Sequence, residues 1–314
     1  MKTFVVTPLV AGCTLLLWGA PVRARDPEES SAPAEESEDE HEHEQGPLSL
    51  GLDVVFGFGG VEGPIPPGLM GEPESIAVDC QSFLLSAGYE VAERIGVGVR
   101  FPMTFASVPE AGTTLTTHSV FAIGNLELEG EADIELSETL ALELSLGVAL
   151  PTAQGRDEPA LEGTVDPTEY DQAVVNYFAA SSRGFEDNAL FEVDRVGIVP
   201  KVALHARAGR FLVDPYVKLE NLISTNSDAE RGYVAELVVG TFAGAELSEH
   251  LDLGARLWLA AAFLDEVETT AVAEPQLRLH YKPVDLVLGG ILPFAGELTD
   301  PYFASIRVGV AARL

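Results

Sequence analysis

The feature that most constrains the fold is a strict alternation of apolar and polar residues, clearest in FAIGNLELEGEADIEL at positions 121–136. From 126 to 136 the even positions are apolar apart from Gly130, and the odd positions are all acidic. Successive side chains of a β-strand point to opposite faces, so this period of two predicts a strand with one apolar and one acidic face. Such a strand is stable only where its acidic face contacts water or cations.

The alternating pattern recurs twelve times between positions 48 and 314. Leu140 to Leu150 alternates over about eleven residues, the length that crosses a bilayer at a tilt of about 45°. The connections between the segments alternate in length. Short connections lie near 92–94, 137–139, 208–210, 248–250 and 282–284. Long connections lie near 59–80, 106–118, 152–190, 225–232, 264–269 and 294–301.

These features predict an all-β fold, a single closed antiparallel transmembrane β-barrel of about 12 strands over residues 48–314. The alternative is a soluble, secreted β-sandwich. Sandwich strands are usually shorter, about 5–6 residues, and a sandwich does not predict short turns at one end and long loops at the other. The barrel therefore fits better. It would place the short turns and both termini in the periplasm and the long loops outside.

The N-terminus, residues 1–24, has the pattern of a secretory signal peptide. Lys2 supplies a basic start, an apolar run follows, and Val22-Arg23-Ala24 is a candidate cleavage site. The alternative is a lipoprotein processing site at Val10-Ala11-Gly12-Cys13, which would make Cys13 a lipid anchor. A lipoprotein site normally ends the apolar run, whereas here the run continues past Cys13, so the cleaved signal is favoured.

Residues 25–47 form an acidic stretch rich in Glu, Ser, Pro and Ala, predicted to be a disordered periplasmic tail because it cannot bury enough apolar surface to fold. His41 and His43 could hold a divalent metal, but a solvated acidic spacer is the favoured interpretation, and no metal or cofactor is predicted. The net charge of -32 excludes nucleic acid as a partner, since phosphate binding requires an excess of Lys and Arg.

Two stretches resemble a known class of protein. The hairpin GNLELEGEADIELSETLALELSLGVALPTAQG, residues 124–155, resembles hairpins of Gram-negative outer-membrane channel proteins, including transporters of the phenol-degradation or aromatic-compound type. In those proteins a Gly-Asp/Asn strand, a short turn and a strand closing on Leu-Pro-Thr recur. The C-terminal strand YFASIRVGVAARL resembles the final strand that the barrel-assembly machinery recognises, although it ends on Leu314 instead of Phe. The resemblance implies an outer-membrane barrel.

In such a barrel the apolar faces contact lipid and the charged faces line the lumen. The predicted pore-lining residues are Glu127, Glu129, Glu131, Asp133 and Glu143 with Arg100, Arg195, Lys201, His205, Arg207, Lys218, Arg256, Arg278 and Arg307. Asp53, Glu90, Asp214, Glu220, Glu236 and Asp252 are predicted to face the lumen as well. These charges either pair across a closed interior or hold a water-filled path. Small inward residues favour the path, namely Gly96, Gly98, Gly147, Gly240, Gly244 and Ala260.

The long connection at 152–190 contains a candidate constriction. Tyr170, Val174, Tyr177 and Phe178 fall on one helical face of TEYDQAVVNYFAASS. One hypothesis is a short helix that folds over or into the barrel mouth and constricts it. The other is a hydrophobic patch that packs on the outer rim.

The function expected from these features is a narrow channel or porin in the outer membrane of a Gram-negative bacterium, passing small solutes through a charged lumen. The alternative is a non-conducting structural or surface-displaying barrel. An enzyme is not predicted, because His118 and Ser119 are adjacent on a strand and would point to opposite faces, the wrong geometry for a nucleophilic site. The expected partners are outer-membrane lipid, the barrel-assembly machinery and small solutes.

Overall fold

The computed structural model describes residues 48–62, 75–109, 117–155, 167–227, 229, 231–264, 267–296 and 302–314. The predicted signal peptide at 1–24, the candidate lipid anchor Cys13 and the acidic tail at 25–47 lie outside the described residues.

The described chain forms thirteen β-strands, one α-helix and one short 3-10 helix. The strands are β1 (Leu48–Glu62), β2 (Ser75–Ala92), β3 (Ile95–Pro109), β4 (Thr117–Ile123), β5 (Leu126–Ser137), β6 (Leu140–Leu150), β7 (Arg195–Ala208), β8 (Phe211–Ser224), β9 (Tyr233–Ser248), β10 (Leu251–Phe263), β11 (Val267–Tyr281), β12 (Val284–Gly296) and β13 (Tyr302–Arg313). The α-helix is α1 (Pro167–Ser182), and the 3-10 helix is Asn188–Leu190.

The sheet closes on itself because β1 pairs with both β2 and β13. In the closing pair Ser49 faces Arg313 and Gly60 faces Tyr302. β3 pairs with β4 along Met103–Pro109 and with β5 along Ile95–Arg100. β4 and β5 therefore share one strand position in the barrel wall, interrupted at 124–125. The thirteen strands therefore fill twelve strand positions and form the predicted closed antiparallel barrel.

Short turns join the strands at one end of the barrel, at 93–94, 138–139, 209–210, 249–250 and 282–283. Two of them contain a residue in the left-handed region, Arg94 with φ 69° and Gly209 with φ 63°. Longer connections join the strands at the opposite end. The predicted alternation of short and long connections is confirmed.

The two faces of the wall differ as the alternation predicts. On the outer face Leu146 is 52% exposed, whereas on the inner face Glu127 is 1% exposed. Phe83, Phe105 and Phe121 lie side by side on the outer face, with ring centroids 6.1 Å and 4.7 Å apart. An apolar outer face suits lipid, while the polar groups are collected inside.

Within the described ranges, no helix is both long and apolar enough to span a bilayer.

Candidate functional site

The lumen contains part of the connection between β6 and β7, here called the inserted segment and defined as residues 167–194. Its helix α1 lies against β1, β2, β3, β4 and β13. Val175 and Phe178 on α1 are buried, and the Phe178 ring lies 5.5 Å from that of Phe303, which points inward from β13. The helix therefore packs on the inner wall of the barrel.

The helix expected within 152–190 is present, but the residues of its predicted apolar face lie in different surroundings. Phe178 is buried and Val174 packs beside the same cluster. Tyr170 and Tyr177 are exposed. The face that packs on the wall instead carries Val175, Phe178, Ala179 and Ser182, which recur at helical spacing. A constricting role for these residues stays a prediction.

Arg183, directly after α1, attaches the inserted segment to β1 and β2. Its Nη1 donates to Asp53 Oδ2 at 2.6 Å, and its Nε donates to Ser82 Oγ at 2.9 Å. Arg307 on β13 donates to the other oxygen of Asp53 at 2.9 Å. Asp53 is fully buried. One carboxylate therefore joins two guanidinium groups, one from the wall and one from the inserted segment.

Glu186 attaches the inserted segment to the opposite wall. Its carboxylate accepts hydrogen bonds from the Tyr216 hydroxyl at 2.8 Å and from Arg256. Arg256 is also paired with Glu274 at 3.1 Å, and Lys218 donates to the main-chain carbonyl of Glu186. These contacts join the segment to β8, β10 and β11.

Asp187 lies between two cations. Its carboxylate is 3.2 Å from Arg100 Nη1 and 3.4 Å from Lys218 Nζ. Burial by itself raises the pKa of this carboxyl group, but the charges of Lys218 and Arg100 outweigh burial and hold the pKa of Asp187 well below its usual range. Asp187 is therefore ionised wherever the barrel is folded near neutral pH.

The end of the inserted segment is held by side-chain amides and carboxylates. Asn188 Nδ2 donates to Glu236 at 2.7 Å, and the main-chain N–H of Ala189 donates to Glu220 at 2.6 Å. Asn125, at the break between β4 and β5, donates to the carbonyls of Ala189 and Glu192 at 2.9 Å and 2.7 Å. At the break between β4 and β5 the chain therefore leaves the sheet and binds the inserted segment instead.

Trp258 on β10 reports directly on the position of the inserted segment. Its indole Nε1 donates to the carbonyl of Gly184 at 2.9 Å. Gly184 has φ +65°, and a Cβ there would lie 2.8 Å from the Trp258 ring. Trp18 and Trp258 are the two tryptophans of the sequence, so a chain without its first 24 residues carries one indole.

We expect docking of the inserted segment to weaken in acid. Because the pKa of Asp187 is lowered by folding, its contribution to docking is complete above the ordinary Asp value of about 4 and is lost as pH falls toward the lowered value. Trp258 fluorescence should therefore change below about pH 4. The Asp187→Asn variant should show a smaller change in acid. An identical acid transition in Asp187→Asn would contradict this assignment.

The predicted lumen residues lie on the inner face of the wall. In the middle of the barrel Glu127 pairs with Arg100 at 2.7 Å and Lys218 with Glu220 at 2.8 Å. The residues nearer the short turns form what we call the vestibule, namely Glu129, Glu131, Asp133, Glu143, Lys201, His205, Arg207, Asp214, Asp252, Arg278 and His280. Whether any of these residues lines a conducting pore stays a prediction.

Charges also pair within the vestibule. Lys201 lies 3.2 Å from Glu143, and His205 lies 3.3 Å from Asp214. Arg207 is paired with Glu246. The vestibule wall is thus made of alternating acids and bases, and most of them are only half-buried. This end of the lumen is more accessible than the middle.

Small inward residues do not leave free space at four of the predicted positions, one of them Gly244, where a Cβ would collide with the Phe242 ring. A Cβ on Gly147 would lie 2.6 Å from the Glu127 carboxylate, and a Cβ on Gly240 would lie 2.6 Å from the Tyr216 ring. A Cβ on Gly96 would lie 2.5 Å from Glu131. The expected space is filled because each glycine accommodates a large neighbouring side chain.

Several residues of the site were not predicted. Glu274 is fully buried on the inner face of β11. Alternation through Gln276, Arg278 and His280, continued back past Pro275, also points Glu274 inward, so the sequence pattern could have found it. Arg183, Glu186 and Asp187 belong to a segment without periodicity. No local pattern indicated that these three residues would enter the lumen.

His118 pairs with a carboxylate and not with the neighbouring Ser119. His118 Nε2 lies 2.8 Å from the Asp171 carboxylate on α1, and Ser119 is exposed on the other face of β4. The described residues contain no group of three or more His, Cys, Asp and Glu side chains that could hold a metal ion.

Solved structures share the fold at low sequence identity. An outer membrane channel from Pseudomonas putida F1 has a TM-score of 0.59 and 13% identity, over 89% of this chain and 100% of that chain. The β-domain of the Bordetella autotransporter BrkA has a TM-score of 0.48 and 12% identity, over 85% of this chain and 100% of that chain. A mutant of the TodX monoaromatic hydrocarbon channel has a TM-score of 0.43 and 10% identity, over 85% of this chain and 90% of that chain.

The likeness to the Pseudomonas putida channel establishes the fold, and the expected resemblance to outer-membrane channel barrels is confirmed at that level. The other two likenesses are too distant to carry an argument. No protein-family model matches the chain, and a search of curated proteins finds no match.

Proposed function

We propose that this protein is a narrow channel for small solutes in the outer membrane of a Gram-negative bacterium, and that the inserted segment limits its conductance. The observation that carries the proposal is the way this segment is attached. Besides the apolar packing of α1, Phe185, Leu190 and Phe191, its contacts with the wall are ion pairs and hydrogen bonds, such as Arg183 to Asp53, Glu186 to Arg256 and Asn188 to Glu236.

Polar contacts inside a lumen support a movable segment because water can replace them. The net contribution of a hydrogen bond is about 0.5–1.5 kcal/mol between neutral groups and about 1.5–3 kcal/mol where one group is charged. The half-buried charges of the vestibule would hold water next to the inserted segment.

The orientation belongs to the same proposal. The short turns and both chain termini would face the periplasm, so the inserted segment would enter from the outer side. A cleaved signal at 1–24 and an acidic tail at 25–47 in the periplasm complete this arrangement, and β13 would be the strand that the assembly machinery recognises.

The alternative is a non-conducting structural or surface-displaying barrel. One observation favours it: Glu127, Glu220 and Glu274 in the middle of the lumen are at most 1% exposed. Purified protein in planar bilayers separates the two functions. A channel gives defined conductance steps, and the absence of steps from a protein with heat-dependent gel mobility would sink the channel proposal.

Charge reversal in the vestibule tests which residues the ions meet. Glu129 and Glu131 are half-buried on the inner face of β5, at the vestibule end of the lumen. Replacing both with Lys should reduce the preference for cations, measured as a shift of the reversal potential in a salt gradient. Glu249→Lys, in an exposed turn, is the matched control and should leave the potential unchanged. Unchanged selectivity in the double variant would contradict the lumen assignment.

A further inference from the structure

Arg278 differs from the other basic residues predicted to line the lumen. Each of the others lies within 4.0 Å of a carboxylate: Arg100, Arg195, Lys201, His205, Arg207, Lys218, Arg256 and Arg307. No salt bridge to Arg278 occurs within the part of the chain that the structure describes. In a protein with a net charge of -32, an unpaired inward guanidinium needs an explanation.

The Arg278 side chain is held in place without an ion pair. Its Cζ lies 3.8 Å from the centroid of the Phe242 ring, a close cation–π stack. Phe242 is fully buried and lies over Gly244 and Gly254, where a Cβ on either glycine would collide with the ring. Arg278 Nε donates to Gln276 Oε1 at 3.4 Å. The two Nη groups have no hydrogen-bond acceptor among the described residues.

The strand order places Arg278 between the inserted segment and the short-turn mouth. Glu274, Gln276, Arg278 and His280 follow one another along the inner face of β11 toward the turn at 282–283. Glu274 belongs to the contacts that hold Glu186, through Arg256. Arg278 is half-buried, whereas Glu274 and Gln276 before it on β11 are buried.

The chemistry of the site selects a particular kind of anion. A guanidinium with free Nη groups binds a carboxylate through two parallel hydrogen bonds. The neighbouring carboxylates Asp214, Asp252 and Glu274 are each already paired with another basic group, so a single guanidinium is left to bind an anion. The surroundings therefore favour a monoanion over a dianion.

We propose that Arg278, stacked on Phe242, binds the carboxylate of a small monoanionic solute on the vestibule side of the inserted segment. This proposal rests on the proposed channel function, because it assigns to the channel a class of solute and a residue that determines specificity.

Binding is tested on the full-length mature protein in detergent micelles by calorimetric titration with benzoate. Benzyl alcohol serves as the uncharged probe and phthalate as the dianion. Benzoate should bind and both other probes should bind more weakly. Arg278→Gln should weaken benzoate binding by about tenfold or more, the loss expected for one charge-assisted pair. Arg278→Lys should also weaken it, because an ammonium group lacks the planar fork.

Arg210→Gln, in the exposed turn at 209–210, is the matched control and should bind benzoate like the unmodified protein. The Trp258 emission spectrum identifies variants that remain folded. Equal benzoate binding by a folded Arg278→Gln variant, or equal binding of benzyl alcohol, would overturn the proposal.

Conductance in potassium chloride, measured separately, distinguishes the two proposals. Conductance without Arg278-dependent binding removes the anion site and leaves the channel. Arg278-dependent binding without conductance removes the channel and leaves the site.

Discussion

Replacing the inserted segment with a flexible linker is expected to raise the single-channel conductance several-fold. The change exchanges residues 167–194 for a Gly-Ser sequence of the same length, which cannot form α1 or the contacts of Arg183, Glu186 and Asp187. The lumen would then be bounded by the wall alone. A twelve-stranded barrel is wider than the eight-stranded barrels that side chains alone can fill.

A milder variant tests the same idea with the helix retained. Arg183→Ala, Glu186→Ala and Asp187→Ala together remove the charged contacts, and conductance should then fluctuate between the original level and a higher level. Planar-bilayer recording measures both. The matched control is Glu169→Ala, since Glu169 is exposed on α1 and its replacement should leave the conductance unchanged.

Two results would contradict the role given to the inserted segment. Unchanged conductance in the linker variant would mean that the limiting constriction lies in the wall. No conductance in either variant, with the barrel folded, would favour the non-conducting alternative.

The barrel itself could be predicted because its physical environment leaves a regular trace in the sequence. Lipid on one side and the lumen on the other require alternation along every strand, and the short turns mark where strands reverse. The break between β4 and β5 at Gly124–Asn125 has no comparable pattern in the sequence. It depends on tertiary contacts, since the main-chain N–H of Asn125 donates to the carbonyl of Leu190 at 2.6 Å.

The inserted segment could be predicted only in part. An apolar helical pattern near 168–182 indicated α1, but the face it selected was only partly right, because Phe178 is buried whereas Tyr170 and Tyr177 are exposed. The charged run after α1 has the composition of a solvated loop. Its partners, such as Asp53 and Tyr216, are distant in sequence, so only the closed barrel brings them together.

Removing the Asp53 carboxylate is expected to destabilise the barrel strongly. Asp53→Ala leaves Arg183 and Arg307 buried without their shared partner, and breaking a buried pair in this way costs roughly 3–5 kcal/mol. The loss should lie toward the lower end, because Arg307 keeps Glu274 at 3.5 Å. Urea unfolding in lipid vesicles, followed by Trp258 fluorescence, measures the free energy of unfolding.

A control substitution at an exposed aspartate separates the effect of breaking the buried Asp53 pairs from the effect of removing a negative charge. Asp79 lies on β2 but is exposed, so Asp79→Ala should change the free energy of unfolding by less than about 0.5 kcal/mol. A small effect of Asp53→Ala would mean that water solvates both guanidinium groups.

Adding Arg183→Ala to the Asp53→Ala background then tells which guanidinium carries the cost. Recovery of stability in the double variant would assign the cost to the inserted segment, because the unpaired cation has been removed. If stability is not recovered, the cost lies in the wall at Arg307, and the barrel closure between β1 and β13 depends on Asp53 as much as docking does.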